Sequence, residues 1–380
     1  MKIRIFSLIA VLMVLTMVLA SCTPAAPAAP QTIIQTVVVE KQAPAQVVTQ
    51  IVMQTAVPAK KNIVIGYAAP GLVGGQVNIQ ETLLRYAQGK GWQVVLTNSN
   101  GNAQKQNDDI DQLISQGVDA IVSVPQDSAG ICAAAEKAKA AGIPFFTIDR
   151  SPSGCGITMT LLSDNRLAGQ QSGQALVDYL TKKNGSAKGK VLEITGDLGQ
   201  NVGQLRRDGF HDIVDANKDI TVIQKVGKWD AALGAEIVRD VLTSTPDLDA
   251  IYMHSDACYS AGTLAELKAA KRLFKRDEKG HIFLAGVDGS PMGVQAIKDG
   301  YSDQSSNQPI PDFGRVVDFI EKVLAGEKLT EGEYKVDGAL WSPAAMKLNA
   351  DGTLETFLKT TSVTIDNAEE PGLWANFKMN

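Results

Sequence analysis

Several polar side chains in this sequence follow short apolar runs and could bind a polar ligand together. Asp149 and Arg150 come directly after the run at 145–148, and Asp288 lies shortly after the run at 282–285. A carboxylate beside a forked guanidinium can bind two adjacent hydroxyl groups, because the carboxylate accepts hydrogen bonds and the guanidinium donates them. Taken alone, an Asp–Arg pair of this kind is more often a cap or a surface salt bridge.

Two further residues have side chains that suit a hydroxyl-rich ligand. Arg206 lies in a stretch with helical spacing, and Trp229 lies beyond the apolar run at 220–223. An indole ring can stack on the face of a sugar, although a tryptophan at the end of a strand can also belong to the core. The residue types therefore favour binding of a polar molecule.

The sequence gives little support for an enzyme. It holds three histidines and no HExxH, P-loop or GxSxG pattern. Asp149 and Asp288 could act as a glycosidase pair, but Arg150 would favour the ionised form of Asp149, which is wrong for a general acid. We expect no catalytic residue, no metal site and no cofactor.

The elements that position these residues alternate regularly from Lys61 onwards. Apolar runs at 63–65, 94–96, 120–124 and 145–148 recur at intervals of about 25–30 residues, with helical patterns between them. Runs without polar alternation predict strands buried on both faces, hence parallel sheets covered by helices. Ligands of such sheets bind at the carboxyl ends of the strands, which is where the polar residues lie.

The pattern restarts after residues 163–165. A helical stretch at about 167–180 leads to a second series of strands near 191–194, 220–223, 250–253 and 282–285. The sequence therefore predicts an α/β protein with two similar lobes, each a parallel sheet flanked by helices.

The first residues have the layout of a secretory signal. Lys2 and Arg4 precede an apolar run at 5–19, and small residues lead to Cys22. The run is shorter than the roughly 20 residues of a membrane span. Because the cysteine follows the predicted cleavage point, the layout resembles a bacterial lipoprotein signal. We expect residues 1–21 to be removed and Cys22 to be lipidated.

Residues 22–60 are rich in Pro, Gln, Thr and Val and contain few charges before Lys60. This composition predicts a tether between the anchor and the globular part, although its valine runs could also form strands. Without residues 1–21, 41 acidic and 34 basic residues give a net charge near −7. The acidic balance argues against a nucleic-acid partner.

Three cysteines remain after Cys22, which outside the cytoplasm suggests one bridge and one free thiol. We prefer the pair Cys132–Cys155, since both residues are expected on the same side of one βα layer. Three reduced thiols are the alternative, and Cys258 is the free thiol in the preferred pairing.

Six short motifs occur in an informative order: Asp149-Arg150, 163–165, Arg206-x-x-Gly-Phe, Trp229-Asp230, Ser255-Asp256 and 288–290. In this order and spacing, residues 62–374 resemble the periplasmic sugar-binding proteins of the ribose/galactose type. Those proteins are type I solute receptors of ABC transporters.

The resemblance implies a set of ligand-binding residues on both lobes. Two departures concern this set: Ser255 stands where the family usually has Asn, and the loop 70–76 lacks the usual Asn and paired aromatic residues. One stacking wall is therefore absent, and Gln76 can offer a hydrogen bond instead. The implied ligand-binding residues are Gln76, Asp149, Arg150, Arg206, Trp229, Ser255, Asp288 and Gln308.

The resemblance also implies a hinge of three crossings, which we expect near Asp164, Gln308 and Val336. The predicted first lobe is 61–163 plus 309–337, and the second is 164–308 plus 338–380. The implied function is that of a monomeric, membrane-anchored extracytoplasmic receptor that delivers a sugar or polyol to an ABC permease. A receptor that presents its ligand to a signalling partner, or a binder of a nucleoside, stays open.

Overall fold

The computed structural model describes residues 62–377. The predicted signal sequence, the lipidation site Cys22 and the predicted tether at 22–60 lie outside the described residues. None of the helices between residues 62 and 377 has the length and apolar character that a bilayer span requires.

The first sheet has eight strands in the order β11-β12-β13-β5-β4-β3-β1-β2. Strands β1 to β5 pair parallel with one another, and β13 pairs parallel with β5. On the other side of β13, β12 pairs antiparallel with it, and β11 pairs antiparallel with β12. The strands are β1 (Val64–Ala69), β2 (Gln93–Asn98), β3 (Ala120–Ser123), β4 (Phe145–Ile148), β5 (Met159–Ser163), β11 (Gly332–Tyr334), β12 (Ala344–Leu348) and β13 (Leu354–Leu358).

The second sheet has six strands in the order β14-β10-β9-β8-β6-β7, and only β14 pairs antiparallel within it. Its strands are β6 (Lys188–Thr195), β7 (Asp219–Val226), β8 (Ala250–Met253), β9 (Phe283–Asp288), β10 (Gln304–Asn307) and β14 (Thr361–Val363). The prediction of an α/β protein with two lobes is confirmed. The sheets are mixed at one edge, because the late strands join them by short connections rather than by helical crossovers.

Helices cover both faces of both sheets. They are α1 (Gln76–Gly89), α2 (Ala103–Ser115), α3 (Cys132–Ala140), α4 (Asn165–Asn184), α5 (Asn201–Val214), α6 (Ala231–Ser244), α7 (Asp256–Ala269), α8 (Pro291–Lys298) and α9 (Val316–Leu324), with 3-10 turns at Ile310–Arg315 and Trp374–Asn376. In the first lobe, α1 and α9 pack on one face and α2 and α3 on the other. In the second lobe, α6 and α7 pack opposite α4 and α5. The central strands β3, β4 and β8 are mostly apolar because both of their faces are buried.

The chain crosses between the lobes three times, and the third crossing differs from the prediction. The first two crossings follow Ser163 and Asn307, where β5 and β10 end. The third lies between Leu358 and Thr361, since β13 pairs with β5 of the first sheet and β14 pairs with β10 of the second.

The placement of residues 338–358 in the second lobe is therefore wrong, as is the crossing near Val336. Val336 packs against the core of the first lobe. The hairpin of β12 and β13 satisfies its backbone groups at the edge of the first sheet, which holds this segment there.

Cys132 and Cys155 form a disulfide with a sulfur–sulfur distance of 2.07 Å. Cys132 is the first residue of α3, and Cys155 lies in the loop between β4 and β5. The bridge therefore connects a helix start to the loop that begins at Asp149. Cys258 is a free thiol.

Candidate functional site

The loops at the carboxyl ends of the two sheets enclose a cleft with about 430 Å³ of free space, part of it open to solvent. Seven of the eight sequence-predicted binding residues line it, and aliphatic groups and a thiol fill the gaps between them. The predicted residues in the cleft are Gln76, Asp149, Arg150, Arg206, Trp229, Ser255 and Asp288, and the others are Val73, Gly74, Gly75, Ile79, Val202, Cys258 and Ile310.

The first lobe contributes a carboxylate between two donors. Asp149 follows β4 and has a left-handed backbone with φ of 65°. Its Oδ2 accepts a hydrogen bond of 2.8 Å from Nε2 of Gln76, and Nε of Arg150 lies 3.7 Å from the same oxygen. Oε1 of Gln76 and Nε of Arg150 are buried and have no hydrogen-bond partner in the described part of the chain. Such buried groups are costly unless another molecule completes them.

A second contact within the first lobe holds the side chain of Arg150 in place. Its guanidinium donates a hydrogen bond of 3.0 Å to the carbonyl oxygen of Pro125, at the end of the β3 loop. The side chain is almost fully buried, and this burial lowers the pKa of Arg150 while Asp149 opposes the effect. The guanidinium keeps its charge because its ordinary pKa lies so far above neutrality.

The second lobe contributes a matching pair. Arg206 on α5 donates to Oδ1 of Asn165 at 2.8 Å, to Oδ1 of Asp288 at 3.2 Å and to the carbonyl oxygen of His254. Burial raises the pKa of Asp288, and Arg206 opposes this rise. The cleft therefore holds one carboxylate–guanidinium pair on each wall.

Trp229 lies in an unusual backbone conformation at the end of the β7 loop, with φ of 62°. Its backbone N–H donates to the hydroxyl of Tyr259 at 2.8 Å, and its indole Nε1 donates to Oε1 of Gln200 at 2.6 Å. The guanidinium carbon of Arg206 lies 5.5 Å from the ring centre. A residue held in a strained conformation at a cleft is typical of a functional position.

The hydroxyl of Ser255 makes two hydrogen bonds within the protein. Its hydroxyl donates to Oδ2 of Asp288 at 2.5 Å and accepts from the backbone N–H of Cys258 at 3.1 Å, which caps α7. Ser255 lines the cleft, and its hydrogen bond to Asp288 fixes the direction of that carboxylate.

Gln308 stands apart from the other predicted residues. It is fully buried at the second crossing and does not line the cleft, although its backbone N–H donates to the carbonyl oxygen of Asp288 at 2.8 Å. Neither atom of its side-chain amide has a partner in the range 62–377. The structure thus places Gln308 in the interior next to Asp288 and not on the surface of the cleft.

Two residues that hold parts of the cleft in place were not among the predicted binding residues. Asp256, the first residue of α7, accepts hydrogen bonds of 3.0 Å from the backbone N–H groups of Gly289 and Ser290, and one from the hydroxyl of Ser305. Burial, followed by repulsion from Asp288, raises its pKa to about 7. These contacts hold the loop after Asp288, whose φ is 113°. Asp256 follows Ser255 directly, so its place after a strand was the available signal.

Gln200 is the second such residue, and it takes part in a direct contact between the lobes. Its Nε2 donates to the carbonyl oxygen of Gln126 at 2.9 Å. Next to it, the backbone N–H of Asn201 donates to Oγ of Ser128 at 3.1 Å, and Oδ1 of Asn201 accepts from the backbone N–H of Ser151 at 3.1 Å. The lobes are therefore in contact at the edge of the cleft. No group of His, Cys, Asp and Glu side chains in residues 62–377 is arranged to hold a metal ion.

Two α/β lobes joined by three crossings, with a polar cleft between their strand ends, define a two-lobed binding protein. The chain belongs to the family whose model is described as the periplasmic binding protein domain, which matches residues 65–328. This is a family of extracytoplasmic binding proteins, so the expectation that the chain is not an enzyme is confirmed.

Two curated relatives and one solved structure show the extent of the similarity. The ribose import binding protein of Escherichia coli is 29% identical over 262 residues, which cover 69% of this chain and 84% of that protein. The xylitol-binding protein of Mycolicibacterium smegmatis is 25% identical over 294 residues, covering 77% and 79%. The crystal structure of an ABC transporter solute binding protein from Mycobacterium smegmatis, with bound glycerol, has a TM-score of 0.69 and 26% identity, covering 81% of this chain and 96% of that chain.

Proposed function

We propose that this chain is an extracytoplasmic receptor that binds a sugar or a sugar-like polyol in the cleft and delivers it to the permease of an ABC transporter. One observation carries the proposal: each wall of the cleft presents a buried carboxylate beside a guanidinium. These are Asp149 with Arg150 and Asp288 with Arg206. Adjacent hydroxyl groups can donate to such a carboxylate and accept from its guanidinium.

The unsatisfied atoms support the same ligand class. Oε1 of Gln76 needs a donor, and Nε of Arg150 needs an acceptor. A hydroxyl group serves either purpose, whereas an apolar ligand would leave both groups buried and unpaired, at about 1–3 kcal/mol each. The net charge of the four paired groups is balanced, so the cleft favours a neutral polar ligand over an ion.

The shape of the cleft points to a small ligand with one apolar face. Trp229 is the one aromatic residue among those that line the cleft, and Gly74, Gly75 and Ile310 are among its apolar lining residues. The family relatives whose names state a ligand include ribose and xylitol binders. A pentose or a polyol of similar size therefore fits the proposal best.

Closure of the lobes about the three crossings would bring the two walls onto the ligand. The closed form would be the one that a permease recognises. The predicted anchor completes the proposal: Cys22 carries a lipid after removal of residues 1–21, and residues 22–60 tether the receptor to the membrane. Replacement of Cys22 by Ser should move the chain from the membrane fraction to the soluble fraction.

A thermal-shift panel tests the ligand class. The chain, unfolded and refolded to remove any bound ligand, is screened against pentoses, hexoses, polyols, nucleosides and amino acids. A ligand at a thousandfold excess over its Kd stabilises the folded state by about 4 kcal/mol. We expect a response to a pentose or polyol. A response to nucleosides or amino acids alone would overturn the proposed ligand class, and a neighbouring sensor kinase gene in place of a permease would favour the signalling role.

A further inference from the structure

Gln200 joins the aromatic wall of the cleft to the opposite lobe. The side chain is 1% exposed and lies at the start of α5, between Trp229 and the backbone of Gln126. We propose that Gln200 is a positioning residue that couples the orientation of the Trp229 indole to closure of the lobes. The proposal rests on the proposed function for its ligand, and it concerns how ligand contact and closure are connected.

Both the oxygen and the nitrogen of the Gln200 side-chain amide form hydrogen bonds. Oε1 accepts from the indole Nε1 of Trp229 at 2.6 Å, and Nε2 donates to the carbonyl oxygen of Gln126 at 2.9 Å. The first bond lies within the second lobe, and the second crosses to the first lobe. A side-chain amide carries its acceptor oxygen and its donor nitrogen on one planar group, so the two bonds share one orientation. A rotation of the indole therefore changes the direction of the donor that crosses the cleft.

Besides its bond to Gln200, the ring of Trp229 contacts Gly196 and lies 5.5 Å from the guanidinium carbon of Arg206. The backbone is held by the hydroxyl of Tyr259, and the ring rests against Gly196 on one side and faces the cleft on the other. Gln200 makes the hydrogen bond to the indole N–H that the structure shows. When the lobes separate, Gln200 loses its first-lobe partner and its amide is released. Coupling between the two contacts is reciprocal, so a ligand that fixes the indole also favours closure.

A second contact between the lobes serves as an internal control. Asn201, the next residue, binds Ser128 and Ser151 of the first lobe and is not hydrogen-bonded to Trp229. It contributes to closure at the same place in the fold. Removal of its side chain takes away the hydrogen bond from Ser151 and should weaken closure, while the hydrogen bond between Gln200 and the indole stays in place.

The test is a pair of double-mutant cycles on the full chain as processed by the cell, with the Kd for the best sugar of the panel as readout. Gln200→Leu and Trp229→Phe should each raise the Kd by about tenfold. The double variant should have about the same Kd as the single variant that binds less tightly. Trp229→Phe combined with Asn201→Ala should instead show the product of the two single effects. If the Kd of both double variants rises by the product of the two single fold-changes, the coupling is overturned.

Gln200→Glu provides a second variant if the leucine variant does not fold. The carboxylate still accepts from the indole and suits the start of a helix, but it offers no donor to Gln126. We expect a loss of affinity similar to that of Gln200→Leu. Unchanged affinity would overturn the proposal, because the crossing bond would then contribute nothing.

A measurement without ligand separates failure of this proposal from failure of the proposed function. Nitrogen-15 spectra of the four tryptophan indoles, assigned by Trp→Phe variants, report directly on Trp229. Ser128→Ala weakens the lobe contact from the first lobe and removes no group that is hydrogen-bonded to the indole. We expect it to shift the Trp229 signal and to leave the other three in place. An unmoved Trp229 signal would overturn the coupling, even if the chain binds a sugar, and a shifted signal would support it even if no sugar binds.

Discussion

Gly196 lies directly against the indole ring of Trp229. A Cβ atom built on Gly196 would fall inside the ring, so no other residue fits at this position while Trp229 keeps its place. Gly196 follows the last residue of β6, and its backbone N–H donates to Nδ1 of His254 at 3.2 Å. The end of β6 thus provides the surface against which the indole ring of Trp229 packs.

Gly196→Ala is expected to displace the indole and weaken sugar binding by about tenfold or more, because the added methyl group would overlap the ring and overpacking forces side chains to shift. Isothermal titration measures the effect. Gly199→Ala is the matched control, since Gly199 lies in the same loop, is exposed and has only carboxylate oxygens at 3.3 Å and 3.5 Å from the added carbon. Equal affinities for wild type and Gly196→Ala would show that the indole does not contact the ligand.

Arg206→Lys should weaken binding by about 30-fold to 100-fold although the charge is kept. A lysine cannot contact Asn165, His254 and Asp288 at once, and it leaves buried acceptors unpaired at about 1–3 kcal/mol each. Arg207→Lys is the control, because Arg207 binds the neighbouring Asp208 and does not line the cleft. If both variants bind as tightly as wild type, Arg206 is not part of the site.

The half-buried His211 and the buried pair Glu193 and His254 predict how stability depends on pH. The hydrogen bond to Glu193 raises the pKa of His211 to about 9, and His254 shares the same carboxylate. Burial opposes the charge of Glu193, but its hydrogen bonds to both histidines lower its pKa to about 2. Since the pKa of His211 is higher in the folded state, its contribution is complete below about pH 6.5 and is lost as the pH rises through about 9.

Urea unfolding at pH 6, 7.5 and 9.5 should therefore show a fall of about 1–2 kcal/mol in the free energy of unfolding that His211→Gln lacks, after allowance for solvent screening. Asp215 also contacts His211 from the same helix, and Gln224 binds Glu193 from β7. Asp215→Asn should keep most of the pH dependence. Parallel pH profiles for wild type and His211→Gln would contradict the pairing.

The disulfide supports the first wall of the cleft. The Cys155 loop begins at Asp149 and also bonds to Ser128, through a hydrogen bond of 2.7 Å from the backbone N–H of Ser153. Replacing Cys132 and Cys155 by Ser together should lower the free energy of unfolding by about 2–4 kcal/mol. We expect sugar affinity to fall only a fewfold, because Arg150 is held separately by Pro125. A reducing agent should lower the stability of the wild type and leave the double variant unchanged.

The elements and residues that the sequence predicted share one property: their place in the fold is determined by residues close to them in the sequence. Buried strands such as Ala120–Ser123 follow from continuous apolar runs, and Asp149 and Asp288 follow from the rule that ligands gather at strand ends. The two-lobed α/β class was predictable for the same reason, since each βα unit carries its own pattern.

The features that the sequence did not reveal depend on distant partners. β11 is largely exposed and β12 is exposed at its end, so their composition does not indicate a sheet, and β13 is fixed by pairing with β5 far away in the chain. The roles of Gln200 and Asp256 depend on Gln126 and Gly289, which reach them only in the folded structure. Residue types alone cannot indicate such pairs.

The most direct test of the proposed cleft is a crystal structure of the chain grown with the sugar or polyol that gives the largest thermal shift. We predict one ligand between the lobes, with its ring or carbon chain against Trp229 and its hydroxyl groups within hydrogen-bond distance of Asp149, Arg206 and Asp288. An empty cleft with the ligand bound elsewhere would contradict the proposed function.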